Sequence, residues 1–166
     1  MGSVAVSGDR ITAVGQVSST IPVETRIDGE GLALAPGIID SHTHFDAQVT
    51  WDPMVTPSPE HGVTTALIGN CGFTIAPCRP ADRELTMQNL VRVEGMSLEA
   101  LRAGINWEFE SFDDYLALIE RQGVGPNIAA FVGHSSVRTY VMGSDAPLRS
   151  ATVAEVESMR RLVAAA

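Results

Sequence analysis

The sequence predicts an α/β protein: a parallel sheet crossed by helices, preceded by a short stretch of β texture. Three observations carry this. Gly37-Ile38-Ile39 is a short apolar run, and Val63–Gly69 and Asn127–Gly133 are predominantly apolar stretches of the kind found in strands buried in a parallel sheet. Helical patterns lie between the second and third of them and after the third. Residues before about Leu34 are instead short, strand-like and turn-rich.

Taken in order, Val4–Val6 and Ile11–Val14 flank Ser7-Gly8-Asp9-Arg10, which reads as a hairpin. Thr25–Asp28, with Gly29 and Gly31 after it, suggests another strand and turn. Three such strands bury no core alone, so residues 1–34 are expected to be part of a small β-sandwich domain. From residue 35 the order becomes strand, loop, helix, strand. Helices are expected over Arg83–Val93, Leu98–Ala103, Phe112–Arg121 and Val153–Ala165. Ser111 with Asp114, and Thr152 with Glu155, have the spacing of N-terminal capping boxes. Alternating strands and helices imply right-handed crossovers and a parallel sheet. The last helix meets the end of the chain without a glycine cap or a following strand. The 35–166 stretch is therefore expected to be the first three βα units of a longer protein.

Charge and composition exclude several classes. The 166 residues carry a net charge of −9. All 11 basic residues are Arg, so there is no Lys and no basic stripe for nucleic acid. No apolar stretch approaches the roughly 20 residues of a membrane span. The first ten residues lack the features of a signal peptide. Cys71 and Cys78 are too few for a disulfide scaffold, and a cytoplasmic location is expected.

The chemistry concentrates where strands end. His42 and His44, two residues apart, project one way if the strand geometry of Gly37–Ile39 continues through them. Two neutral imidazoles side by side suit a divalent transition metal; two histidines hydrogen-bonded in a loop would fit the same pattern. Asn70-Cys71 ends the second run and His134-Ser135 the third, which puts three polar clusters at equivalent positions. Parallel α/β folds gather functional residues at the carboxyl ends of their strands. Cys71 is therefore read as a thiolate ligand beside the histidines, and Cys78 as a small core residue. Asp46 is either a carboxylate orienting a metal-bound histidine or a loop cap. His134 and Ser135 line a substrate pocket or bond nearby backbone; no Gly-x-Ser-x-Gly surrounds Ser135. Arg138 holds a carboxylate, forms an ion pair or is simply solvated. His61, before the second run, is at its far end and is read as structural.

These residues resemble a known family. Ala35-Pro-Gly-Ile-Ile-Asp-Ser-His-Thr-His44 is similar to the first-strand signature of the amidohydrolase superfamily. His61–Pro77, with Gly-Asn-Cys-Gly-Phe at its centre, resembles the N-acyl-D-amino-acid deacylase (D-aminoacylase) branch, as do Val132–Arg138 and Val141–Gly143. The resemblance implies the N-terminal part of a metal-dependent (β/α)₈ (TIM) barrel, preceded by strands of a small β-sandwich. It implies one or two zinc ions and His42, His44 and Cys71 as metal ligands. Many amidohydrolases bridge two metals with a carbamylated lysine, which a chain without Lys does not supply.

The implied reaction is hydrolysis of an N-acyl-D-amino acid to a carboxylate and a D-amino acid, with zinc polarising the amide carbonyl. The partner is then a small N-acyl amino acid, with no nucleic acid and no membrane. The family's other zinc histidines and its catalytic aspartate lie on later strands. The general acid/base is accordingly expected beyond Ala166, the remainder of the barrel is needed to complete the site, and this piece alone is expected to be inactive. Two other readings stand beside this one: a metal amidohydrolase acting on cyclic amides or other C–N bonds, and a non-enzymatic metal-binding scaffold.

Overall fold

The hairpin at the chain start forms around a turn at Gly8-Asp9, where Gly8 takes the positive φ that a tight turn demands. The computed structural model describes residues 2–166. Strands β1 (Ser3–Ser7) and β2 (Arg10–Gly15) pair antiparallel, with a register shift between Ala5 and Val6. The strand expected over Thr25–Asp28 does not form. No strand pairs with it among the described residues, and Ile27 stands 88% exposed, so neither backbone nor side chain is drawn into extended pairing. The described β structure of this first unit is a two-stranded ribbon. The chain divides into two compact units at the Ala35–Pro36 junction.

In the second unit three parallel strands lie in chain order: β3 (Ile38–Asp40), β4 (Val63–Ile68) and β5 (Asn127–Ala130). Ile39 aligns with Thr65, and Thr65 with Asn127, so all three carboxyl ends face the same way. Burial is uneven. In the central strand β4, Val63, Ala66 and Ile68 are buried, whereas Ile38 and Ile39 of β3 are largely exposed. Among the described residues β3 has only β4 beside it, and nothing in this chain covers Ile38 and Ile39.

Among the described residues four α-helices follow the expected pattern and a fifth is an addition. Helices α1 (Arg83–Glu94), α2 (Leu98–Gly104) and α3 (Phe112–Gln122) lie between β4 and β5. In α3, Phe112, Tyr115, Leu118 and Ile119 fall on one helical stripe, and all four are buried in the core with Val49, Val55, Ile68, Ile75 and Leu101. Its capping box is complete: Ser111 Oγ accepts from Asp114 N–H at 3.0 Å, and Asp114 Oδ2 accepts from Ser111 N–H at 3.1 Å. Helix α4 (His134–Met142) is the addition, starting where the sequence suggested only a strand end. Helix α5 (Val153–Ala165) has the Thr152–Glu155 box but buries no side chain. No helix of the described residues is long and apolar enough to cross a membrane.

Candidate metal centre

Regular strand β3 ends at Asp40, so His42-Thr43-His44 lies just past it rather than within it. The ladder nonetheless continues by one bond, because Thr43 N–H donates to the Leu67 carbonyl at 3.1 Å. The Thr43 hydroxyl donates to the same carbonyl at 2.7 Å, and the Thr43 side chain is buried. Residues on either side of an inward-facing residue in extended chain project the other way. That places His42 and His44 together, with ring centroids 5.3 Å apart in an edge-on arrangement.

Cys71 arrives from the end of β4 through an unusual turn. Gly69 has φ 82°, and a Cβ there would run into the Phe131 backbone. Cys71 itself has φ 56°, a left-handed conformation that costs a non-glycine residue about 1–3 kcal/mol. Such strain persists only where neighbours over-determine it. Here Asn70 does so: its Nδ2 donates to the carbonyls of Leu67 at 2.8 Å and Thr43 at 3.1 Å, tying the turn to the histidine segment. Asp46 adds a second tie, its Oδ2 accepting from Gly69 N–H at 3.0 Å.

The result is a three-residue cluster. Cys71 Sγ lies 3.3 Å from His42 Nε2 and 3.9 Å from His44 Nε2, and the three atoms all fall within 4.8 Å of one another. Tetrahedral zinc, with Zn–S of about 2.3 Å and Zn–N of about 2.0–2.1 Å, separates its sulfur and nitrogen ligands by about 3.6 Å. The two S···N distances bracket that value, and one thiolate with two imidazoles is a donor set that zinc favours. The residues present therefore fit a zinc ion.

The carboxylates arrange themselves differently from the sequence expectation. Asp46 is 2% exposed and grips the Gly69 backbone, and burial pushes its carboxyl up to about 7. The carboxylate standing against a histidine is Glu94, at the end of α1, whose Oε1 is 3.1 Å from His44 Nδ1. That contact is close but bent, so Nδ1 has no well-aligned hydrogen bond. Sequence reasoning missed Glu94, fifty positions from His44. The one available signal was an acidic residue in the last turn of a helix, where the macrodipole disfavours it.

His134 and Ser135 sit at the start of α4 and line a cleft of about 260 Å³ together with Cys71, Phe73, Asn89 and Arg138. Arg138 turns its guanidinium to backbone carbonyls, Nε donating to Ala146 O at 2.8 Å and Nη2 to Arg149 O. It thus ties α4 to the segment after it. Ser136, not Ser135, makes the buried contact, donating to the Thr74 carbonyl. Cys78 is buried, with its Sγ 3.4 Å from Thr86 Oγ1, and burial pushes its thiol up. A larger hollow of about 480 Å³ lies between α4 and α5, and none of His42, His44 and Cys71 lines it.

A strand-end cluster of two histidines and a cysteine on a parallel α/β sheet is the arrangement of a metal-centred hydrolase. Residues 25–166 match the amidohydrolase family, and the chain belongs to that family. It is 38% identical over 159 residues to a D-aminoacylase of Alcaligenes xylosoxydans xylosoxydans, covering 96% of this chain and 30% of that protein. It is 37% identical over 164 residues to an N-acyl-D-aspartate deacylase of the same organism, covering 98% and 30%. A D-aminoacylase crystal structure superposes with a TM-score of 0.79 at 36% identity, over 98% of this chain and 31% of that one. An N-acyl-D-glutamate deacylase from Bordetella bronchiseptica, solved with zinc and a phosphonate mimic of the tetrahedral intermediate, gives 0.76 at 29% identity, over 99% and 32%. The chain thus spans about 30% of the length of these curated relatives.

Proposed function

We propose that the chain supplies one side of the zinc centre of an enzyme that hydrolyses N-acyl-D-amino acids to a carboxylate and a D-amino acid. The observation that carries this is the convergence of Cys71 Sγ on the Nε2 atoms of His42 and His44. Relatives named for D-aminoacylase, N-acyl-D-aspartate deacylase and N-acyl-D-glutamate deacylase activity support the substrate class. Zinc, when bound, supplies Lewis acidity toward the amide carbonyl and toward water.

The chain's own residues do the rest of what can be assigned. His42, His44 and Cys71 hold the ion, and one or two ions are accommodated once further ligands are present. Asn70 and Asp46 fix the turn that presents Cys71. His134 and Ser135 face the adjoining cleft, where an acyl or amino-acid group is recognised. In this reading residues 1–34 are part of a small β-sandwich, and residues 35–166 are the first three βα units of a (β/α)₈ barrel. The general acid/base and the remaining zinc ligands come from outside residues 1–166, and the enzyme works in the cytoplasm.

The test is metal loading followed by assay. Cobalt bound to the purified chain is expected to show a thiolate charge-transfer band that Cys71→Ser abolishes. The chain alone is expected to release no D-amino acid from N-acetyl-D-amino acids, whereas a longer enzyme containing it does so with loss on Cys71→Ser. A cobalt complex without thiolate character would overturn the zinc assignment. A longer enzyme active only on cyclic amides would overturn the substrate.

A further inference from the structure

We infer that Glu94 is a positioning residue for His44: with zinc at Nε2, its carboxylate accepts a hydrogen bond from Nδ1–H and orients the ring, an approach that is 3.1 Å but bent in this structure. This rests on the zinc reading above. An imidazole that ligates through Nε2 carries its proton on Nδ1, and an acceptor at Nδ1 fixes both tautomer and ring plane. Glu94 Oε1 is 3.1 Å from His44 Nδ1. Neither partner is free in solvent, with side chains 25% exposed for His44 and 16% for Glu94.

The placement of Glu94 has no competing explanation in its own helix. It is the last residue of α1, before Gly95 in the left-handed region. A negative charge there opposes the macrodipole, and an acidic residue serves a helix better in its first turn. Among the described residues, no arginine forms a salt bridge with Glu94, although six of the seven ion pairs there use one. A partly buried carboxylate without a cationic partner is costly unless a positive centre lies close. The imidazole it touches would be such a centre with zinc held at its Nε2.

Asp46 does not compete for this role. Its Oδ2 accepts from Gly69 N–H at 3.0 Å, its Oδ1 is buried without a partner, and among the described residues no hydrogen bond joins its side chain to either imidazole. Glu94 reaches the cluster from a different element, α1, which lies after β4 in the chain. The pairing therefore couples the end of α1 to the loop after β3.

The experiment is a zinc titration of the purified protein against a chromophoric chelator, with Glu94→Ala, Glu94→Gln and Cys71→Ser side by side. Glu94→Ala is expected to weaken zinc binding by roughly 10–100-fold, the usual loss when the partner of a ligating histidine is removed. Glu94→Gln, which keeps an acceptor oxygen of the same reach, is expected to recover part of that loss. The ¹⁵N spectrum of the zinc-loaded protein is expected to show His44 protonated at Nδ1, and to lose that single-tautomer signature in Glu94→Ala. Wild-type zinc affinity and tautomer in Glu94→Ala, with affinity lost in Cys71→Ser, would overturn the role of Glu94 and leave the centre standing. Unchanged affinity in all three variants would overturn the zinc reading itself. If Glu94→Ala does not fold, Glu94→Gln decides by the same two readouts.

Discussion

Cys71 Sγ and His42 Nε2 lie 3.3 Å apart although 29 positions separate them in the chain. The two segments are tied together by one backbone bond and by the Thr43 and Asn70 side chains. Leu67 O takes Thr43 N–H and the Thr43 hydroxyl, and Asn70 bonds both Leu67 and Thr43 carbonyls. Ligands held on rigid elements in this way are preorganised, so the ion does not have to gather them. We expect His42→Ala and Cys71→Ser to weaken zinc binding by more than the roughly 10–100-fold that loss of an orienting partner causes. His134→Ala, which removes a cleft residue outside the cluster, is expected to leave zinc stoichiometry and affinity unchanged. Atomic absorption after dialysis distinguishes the three.

Gly69, just past β4, packs against the backbone of Phe131, just past β5. Its φ of 82° is left-handed, and a Cβ would meet the Phe131 carbonyl. Gly95 has φ 66° with open space around it, so it isolates the conformational cost. Gly95→Ala is expected to lower stability by about 1 kcal/mol, and Gly69→Ala by about 2–4 kcal/mol with loss of zinc binding, since overpacking adds to the left-handed cost. Urea denaturation of the two variants checks the difference.

What could be read in the sequence was whatever is local. The α3 stripe, both capping boxes and the hairpin turn at Gly8-Asp9 depend on residues three or four apart. The cluster of His42, His44 and Cys71 was legible because all three follow apolar runs, and parallel strands bring such ends to one edge. Glu94 was not, because its contact with His44 depends on the length and tilt of α1 and leaves no periodic trace. Arg138 failed to look structural for the same reason: its carbonyl partners lie on a segment with no pattern. Thr25–Asp28 looked like a strand by composition, but strands form through partners, and none pairs with it among the described residues.

The capping box of α5 gives a pH dependence. Arg149 donates to both oxygens of Glu155, and the Thr152 backbone and hydroxyl add two further bonds. Together they hold the carboxyl down at about 2. A carboxylate with a depressed folded-state value adds stability above its unfolded value of 4.5, which is lost as pH falls toward about 2. The start of α5 is therefore expected to be fully formed at neutral pH and to fray between about pH 4.5 and pH 2. Amide exchange at Val156 follows it, and Glu155→Gln is expected to flatten the response. Arg149 is exposed and Glu155 partly so, and added salt is therefore expected to reduce the effect.

Tyr115 links the core to the metal segment. Its ring is buried among Phe109 and Phe112, and its hydroxyl donates to the Asp46 carbonyl at 2.8 Å, spanning 69 positions. Removing that donor leaves a buried carbonyl unpaired at the point where the chain leaves His44. Tyr115→Phe keeps the ring and its packing, so the loss is confined to the hydrogen bond and the stranded acceptor, about 1–3 kcal/mol. The urea midpoint is expected to fall with an unchanged m-value, because no additional surface is exposed. Zinc affinity is expected to fall by less than in Glu94→Ala, since Tyr115 steadies the backbone two residues beyond His44 whereas Glu94 touches the ring itself. A fall in affinity larger than that of Glu94→Ala would mean that the segment's position is set mainly from the core and not by the ring's own partner.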